Sequence, residues 1–553
     1  MNLNILEHKL KNLIRKEIKN DKLKKILERL KFFLINDERL GDYSTNLIFL
    51  LNEFAPEKKE ILLKKISKKF TYEFSKIEVV NNYLNFWLSD YQILKVFKNI
   101  FKSINKKNEK LFQENYGRKQ KLNIDYVSAN PTGPLTLGNA RGAVLGDTLA
   151  NILKLYGFRV TKEYYVNDRG TQIETLGKTV LAHLGYINWE KDFYQGTYLK
   201  EIAQKLKTEI DNYLNKNKLV EPELYQKIGK KVADYILKNI IKPSLKNFGT
   251  NFDWYFFESA LYKKLKSVVE KVMKILKKKK LVMEKDGALF LLLSKLGEDK
   301  DEVLIKRNGE PTYFFSDILH YYYKFFFKRN KIEILIVASD HLDHTRRLKR
   351  ALKILGIKNY QFVPLIYQFV HLKSGEEKLK MSKRKGIFIT LDELITKINP
   401  SIARFFFLQK SPDSVIELDL ELVKQRTEKN PYWYIQYAYA RLNNILEKAG
   451  NKINLKIYHL DPYKVFLTIK DIPSAKIILR KIYQLQDLIY LIGREKKPHL
   501  LIEYLIDLSK KIHNLYEQEK VLPDIKKIAF VYFIKETLEF LLKLINLKPL
   551  KKI

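Results

Sequence analysis

The spacing of apolar residues changes twice along this chain. In residues 1–115 helical spacing, as at Leu10, Leu13, Ile14 and Ile18, is followed by a strand hairpin over Lys76 to Leu88, with Asn81-Asn82 as its turn. From 116 to about 395, short aliphatic runs alternate with helical stretches. Leu122 to Val127 reads as a buried strand, followed by a Pro/Gly turn and a helix opening near Asn139. Asp147 to Tyr156 reads as helix, with Leu145, Leu149, Ile152 and Leu153 toward a sheet, and Arg159 to Tyr165 as the next strand. Ile334 to Ala338 is a central strand that ends at Ser339-Asp340-His341. This alternation predicts an α/β, doubly wound parallel sheet with ligand groups at the carboxyl ends of its strands. A lysine-rich helical insertion is expected over about 185–270. Residues 396–553 are helical throughout, with long amphipathic runs at Leu418 to Lys448 and Ile472 to Tyr490, and read as an all-α bundle.

Composition narrows the picture only a little. Lys and Arg number 103 against 63 Asp and Glu, a net charge of +40, which suits a polyanionic partner. Lysine, Ile and Asn are abundant everywhere, so compositional drift accounts for the excess equally well. Cysteine is absent, which excludes disulfides and thiolate metal sites and makes a reducing cytoplasm the natural compartment. Nine scattered histidines give no zinc pattern, and no structural metal is expected. No apolar run approaches ~18 residues, so no membrane span is expected.

Two segments carry chemistry. Asp125-Tyr-Val-Ser-Ala-Asn-Pro-Thr-Gly-Pro-Leu-Thr-Leu-Gly-Asn-Ala-Arg141 runs from strand through turn into helix. A helix start presents unpaired N–H groups and the positive end of its dipole, which suits phosphate. Far downstream, Lys380-Met-Ser-Lys-Arg-Lys-Gly386 is a cationic loop; with Lys378 it holds five positive charges. A nucleotide cradle and a loop that grips phosphates suit nucleotidyl transfer.

The pair resembles the two signature motifs of class I aminoacyl-tRNA synthetases, His-Ile-Gly-His and Lys-Met-Ser-Lys-Ser, and Ser128-Ala-Asn-Pro-Thr-Gly-Pro134 is similar to the arginyl family in particular. Gly41-Asp-Tyr-Ser-Thr-Asn46, Glu163-Tyr-Tyr-Val-Asn-Asp168, Asp286-Gly-Ala-Leu289, Pro311-Thr-Tyr-Phe-Phe-Ser-Asp317, Ser411-Pro-Asp-Ser414 and Asn430-Pro-Tyr-Trp-Tyr-Ile-Gln follow in the family's order. The resemblance implies a tRNA-elbow-binding domain over 1–115, a Rossmann-type catalytic domain over 116–395 and a helical anticodon-binding domain over 396–553. It implies L-arginine, ATP with Mg2+, and tRNA(Arg) as partners of a cytoplasmic monomer.

Residue by residue, it implies catalysis by Thr136, Gly138, Asn139, Lys380, Lys383 and Arg384. Thr136 stands where the first signature His is expected; its hydroxyl offers a phosphate one hydrogen bond and no charge. Lys383 compensates from the loop. ATP would lie against Ala129, Pro131, Thr132, Gly133, Pro134, Leu137, Gly138 and Asn139, with Asp340 and His341 at the ribose and Met381, Ser382 and Lys383 closing over it. Arginine would be held by Asp125, Ser128, Asn130, Tyr313, Asp317 and Gln368; Tyr313 and Asp317, four apart, match the guanidinium site. RNA would meet Asn85 and Phe86 at the elbow, and Tyr434, Gln436, Tyr437 and Arg441 at the anticodon. The ending Lys548-Pro-Leu-Lys-Lys-Ile553 departs from the family's pattern. Thr136 also keeps open a second reading, a paralogue that binds tRNA without charging it.

Overall fold

The aliphatic runs form one parallel sheet in the computed structural model, which describes residues 1–105, 112–216, 223–357, 360–374, 377–378, 389–450 and 456–553. Its strands are β1 (Lys121–Tyr126), β2 (Arg159–Val166), β3 (Trp254–Phe257), β4 (Ile332–Ala338) and β5 (Gln361–Tyr367). They lie in the order β5-β4-β1-β2-β3, every pair parallel. The chain winds one way from β1 and returns on the other side at β4, so the crevice between the carboxyl ends of β1 and β4 is the switch point where such sheets bind ligands. Helix α1 (Leu137–Leu155) follows β1, α2 (Tyr313–Phe326) precedes β4, and α3 (Leu342–Ile354) joins β4 to β5.

Helix α1 starts two residues before the expected Asn139 and is continuous through Asp147. Glycines at 138, 142 and 146 lower its intrinsic helix propensity and break the apolar pattern. Packing explains two of them. A Cβ on Gly142 would lie 2.9 Å from the Tyr367 hydroxyl, and one on Gly146 would lie 2.2 Å from Tyr126 Cγ. The glycine face lets the helix settle directly on sheet aromatics.

Two compact units contain the chain: Gly117–Gln425, and Met1–Tyr116 with Arg426–Ile553. The segment from 396 to 425, grouped with the helical region on sequence, packs in the first of these. Helix Pro400–Gln409 sends Arg404 to Asp147 of α1 (Nη2 to Oδ2, 2.9 Å), and strand Ile416–Asp419 pairs in parallel with Val370–Ser374. The run from Leu418 to Lys448 is thus not one helix. It is a strand end, a short helix Leu420–Lys424, and a new helix Pro431–Ala449 whose first residue, proline, needs no N–H partner. At the base of the insertion, helix Thr171–His183, which precedes it, and helix Glu223–Ile236 within it touch at their backbones. A Cβ on Gly177 would sit 2.1 Å from Tyr225 O, and one on Gly229 would sit 1.8 Å from Ile173 O.

The other unit joins an antiparallel sheet, ordered Phe32–Leu34, Tyr43–Thr45, Tyr83–Leu88, Phe74–Val80, to the C-terminal helices. Asn81 and Asn82 turn its hairpin with φ of 48° and 64°, as a two-residue primed turn requires. Asp42 pairs with Arg480, and the Tyr43 hydroxyl donates to Asp487 (2.6 Å), so the Gly41-Asp-Tyr motif fastens this sheet to helices Pro473–Tyr483 and Leu485–Glu495. No helix among the described residues is long and apolar enough to cross a membrane.

Candidate active site

A cavity of about 500 Å3 opens at the switch point. Asp125 and Ser128 at the end of β1, residues 136–139 at the start of α1, Asp317 on α2, Asp340 and His341 after β4, and His344 on α3 all line it. Nine of the expected site residues are thereby brought together: Asp125, Ser128, Thr136, Leu137, Gly138, Asn139, Asp317, Asp340 and His341.

The helix start is built as an anion seat. Thr136 is the N-cap, and both its backbone N–H (3.0 Å) and its hydroxyl (2.9 Å) donate to Asn139 Oδ1. The Thr136 proton is therefore spent inside the cap and is not free for a phosphate. Asn139 takes over as donor: with its oxygen turned inward, its amide Nδ2 has no partner among the described residues. Beyond Gly138 lies open space, since an added Cβ would meet only Thr136 Oγ1, 3.8 Å away. Gly138→Val should accordingly fold normally yet raise the KM for ATP by roughly 10- to 100-fold, the effect of about 1–3 kcal/mol of steric conflict. Steady-state kinetics at saturating arginine measures it; an unchanged KM would remove Gly138 from the nucleotide face.

Lys380, Met381, Ser382, Lys383 and Arg384 lie outside the described residues. Their flanks are placed. Val370 on one side and Ile389 on the other both line the cavity. Thr390 bridges to Thr136, and Leu391 N–H donates to Leu135 O (2.8 Å). The chain thus re-enters the described structure, at Ile389 and Thr390, beside the start of α1.

The end of β1 is bent for its task. Val127 and Ser128 hold φ of 66° and 38°, left-handed values uncommon outside glycine and an outlier for a β-branched residue. This turn lets the Ser128 hydroxyl accept from Tyr165 N–H (2.9 Å) and donate to Asp125 Oδ1 (2.5 Å). Asp317 Oδ2 meets His344 Nε2 at 2.6 Å. Burial alone would lower the His344 pKa, but the hydrogen bond and charge of Asp317 outweigh it and raise the imidazole above its ordinary value.

Several expected residues stand elsewhere. The turn from Ala129 to Pro134 is absent from the lining because its carbonyls are claimed from the other side: Tyr164 donates to Ala129 O (2.7 Å) and Tyr198 to Thr132 O (2.6 Å). Pro131, Gly133 and Pro134 go with that turn, and a Cβ on Gly133 would lie 2.5 Å from the Tyr198 hydroxyl. Asn130 is exposed and donates to Gln172 Oε1 (2.6 Å), so it does not face the cavity. Gln368 serves through its backbone. Its carbonyl, with those of Ser411 and Ser414, accepts from the fully buried Arg141 guanidinium at 2.6 to 2.8 Å, which also accounts for the Ser411-Pro-Asp-Ser motif. Tyr313, four residues before Asp317, opens instead on a smaller cavity of about 200 Å3 with Arg169, Glu258 and Lys306.

In the other unit, Phe86 is fully buried against Phe70 and Phe74, and Asn85 is buried under Ser44 Oγ (2.6 Å). Alternation along an inner strand puts Phe86 in the core, so neither offers RNA a surface. Gln436 is likewise buried and clamps the chain end, donating to Lys548 O (3.1 Å) and accepting from Leu550 N–H (2.9 Å). Tyr434, Tyr437 and Arg441 stay partly exposed; the Tyr434 ring lies 4.4 Å from the His513 ring, and Arg441 Nη1 is 2.8 Å from His513 Nδ1.

Sequence reading missed Glu258, Tyr165, Tyr367, His344 as partner of Asp317, and the ionic cluster behind Asp125. Glu258 is buried, accepts from Ser316 Oγ (2.8 Å) and is pushed by burial up to about 7. Behind Asp125 lie Glu163, Glu333, His320 and Lys324, all fully buried or nearly so. A signal existed: Asn123, Glu163 and Glu333 each put a polar group into an inner strand, Glu333 in an otherwise apolar run. Asp125, Glu163 and His320 carry metal-ligand atoms within 4.8 Å of one another, but the Lys324 ammonium, 2.8 Å from Glu163, already supplies the cation there.

Comparison with known proteins follows the same division. Residues 100–419 match the family model "tRNA synthetases class I (R), catalytic domain", and residues 435–553 match "DALR anticodon binding domain". The arginine–tRNA ligase of Aquifex aeolicus is 32% identical over 97% of each chain. That of Carboxydothermus hydrogenoformans is 36% identical over 87% of this chain and 86% of its own. The crystal structure of arginyl-tRNA synthetase from Plasmodium falciparum superposes with a TM-score of 0.73 at 18% identity, covering 99% of both chains.

Proposed function

The chain belongs to the arginine–tRNA ligases of class I, and from that premise we propose how its own residues divide the work. The enzyme activates L-arginine with ATP and passes the arginyl group to tRNA(Arg). An arginine carboxylate oxygen attacks the α-phosphorus and pyrophosphate leaves; a hydroxyl of the terminal ribose then attacks the activated carbonyl and AMP leaves. No observation favours the paralogue that does not charge.

One feature carries the assignment of the ATP site: an anion seat at a helix start, beside which the chain that follows the cationic segment returns at Ile389 and Thr390. The adenine lies on the open side of Gly138. First-turn N–H groups of α1 and the Asn139 amide face the phosphates, and Asp340 and His341 face the ribose. Lys380, Lys383 and Arg384, with Met381 and Ser382, close over the leaving pyrophosphate. Little bond-making falls to side chains, so positioning and charge supply the rate. Mg2+ accompanies the triphosphate as counter-ion. Asp125 receives the α-ammonium of arginine and Asp317 its guanidinium, which takes the place of the His344 imidazole. Tyr313, one helical turn before Asp317, is a further guanidinium partner only if its ring turns from the smaller cavity toward Asp317. Tyr437 and Arg441 stack and pair with anticodon bases, with Tyr434 beside them. The enzyme acts as a monomer in the cytoplasm, its domains divided near 115 and between 396 and 425.

The test is aminoacylation of tRNA(Arg) by the full chain with each of the twenty amino acids in turn. Arginine alone should be accepted. Charging with a different amino acid, or with none, would end this reading.

A further inference from the structure

Asp125 is the visible edge of a larger buried set. Lys324 Nζ lies 2.8 Å from Glu163 Oε2, 3.0 Å from Glu333 Oε2 and 3.9 Å from Asp125 Oδ2. Asn123 Nδ2 bridges Glu163 (2.5 Å) and Glu333 (3.0 Å), Asn330 donates to the other oxygen of Glu333 (2.7 Å), and His320 Nε2 meets Glu163 Oε1 (2.7 Å). The strand register explains the assembly. Asp125 stands beside Glu163 of β2, Asn123 stands beside Glu333 of β4, and α2 crosses above to deliver both Lys324 and the pocket residue Asp317. Three carboxylates therefore share one ammonium, two of them fully buried and the third at the cavity wall, a balance that low dielectric penalises.

We propose that Lys324 and Glu333, which are fully buried behind the lining of the main cavity, are positioning residues for the amino acid: with Glu163 they hold Asp125 in a set one cation short, and the α-ammonium of arginine supplies that cation and expels a proton. This rests on the assignment of Asp125 to the α-ammonium. The balance is simple. The unliganded set keeps one proton on a carboxyl; arginine enters with its ammonium intact, and the proton leaves to solvent. The groups facing Asp125 fit this. From β2 come Glu163 and Tyr165, and from β4 Glu333 behind Lys324. From α2 come Asp317, His320, Tyr321 and Lys324, and from α3 His344. Burial and the Glu163 charge raise the Asp125 carboxyl, burial raises Glu333 likewise, so these two share the retained proton, while Lys324 and His320 hold Glu163 down against its own burial. Burial lowers the His320 pKa, and its imidazole stays neutral; Lys324, though buried, is kept charged by Glu163 and Glu333.

Calorimetric titration of the full chain with L-arginine at pH 7, in phosphate and in Tris, counts the protons released. About half a proton or more per arginine is expected, and affinity should weaken toward tenfold per pH unit on the acid side. In Glu333→Gln one negative neighbour is gone, Asp125 ionises more readily, release at pH 7 falls, and the acid limb moves down by roughly one pH unit. Asp125→Asn should weaken arginine at every pH and abolish this share of the release. If Asp125→Asn leaves affinity untouched, the assignment of Asp125 fails and the inference with it. If Asp125→Asn weakens binding while Glu333→Gln releases as many protons with an unmoved acid limb, the proton comes from His344 and the inference alone fails. No release in the wild type overturns it without recourse to a variant.

Discussion

Asp317→Ala should lower kcat/KM for arginine by roughly a thousandfold while leaving the KM for ATP within a few fold. Removing one partner of a desolvated charge pair costs about 2–5 kcal/mol, and each 1.4 kcal/mol is tenfold. The guanidinium has no lone pair and cannot lose its charge, so it must find a carboxylate or pay desolvation. Asp317 lines the cavity, and its Oδ2 is held toward His344. The variant itself should fold. Without Asp317, burial governs His344 and the imidazole stays neutral near pH 7, so no charge is stranded. Aminoacylation kinetics over a range of arginine concentrations reads the effect. A rate within threefold of the wild type removes the assigned guanidinium site.

The second large effect concerns stability. Asp147→Ala should lower it by about 3–5 kcal/mol, because two buried cations lose their carboxylate. Asp147 Oδ1 meets Lys162 Nζ at 3.2 Å and Oδ2 meets Arg404 Nη2 at 2.9 Å, all three groups being nearly inaccessible. Arg404 also donates to Phe248 O (3.1 Å) and Thr250 Oγ1 (3.1 Å), so it ties helix Pro400–Gln409 to α1 and to the loop before β3. The midpoint of thermal unfolding should fall by roughly 10 °C. A loss of less than ~1 kcal/mol would mean that the pair is replaceable there.

Local pattern revealed the sheet and not the seating of its ligands. β4 was legible because it is aliphatic but for Glu333, and β1 and β2 because short strand-like runs stand between turn and helix signals. The start of α1 was not, because Gly142 and Gly146 serve contacts with Tyr367 and Tyr126 that no local window contains, and Gly138 leaves open space on the cavity side. The pairing of Asp125, Asn139 and Asp317 within one cavity followed from motif order. Asn130 and the Pro-Thr-Gly-Pro turn did not, since Tyr164 and Tyr198 hold them from 30 or more residues downstream. Phe86 and Gln436 have the chemistry of RNA contacts and the location of core residues; alternation along a strand and the return of the chain end decide that.

The interlocked glycines at the base of the insertion have a mechanical consequence. Helices whose backbones meet at Gly177 and Gly229 leave no room for a side chain between them, and so close a seam resists shear and favours movement of the pair as one body. Gln226 grips Gly170 O (2.9 Å) and Lys230 grips Asp168 (2.5 Å) at the pair's inner end, next to Arg169 and Thr171 at the edge of the smaller cavity. Any displacement of the pair is therefore coupled, through these two bonds, to the wall beside Tyr313.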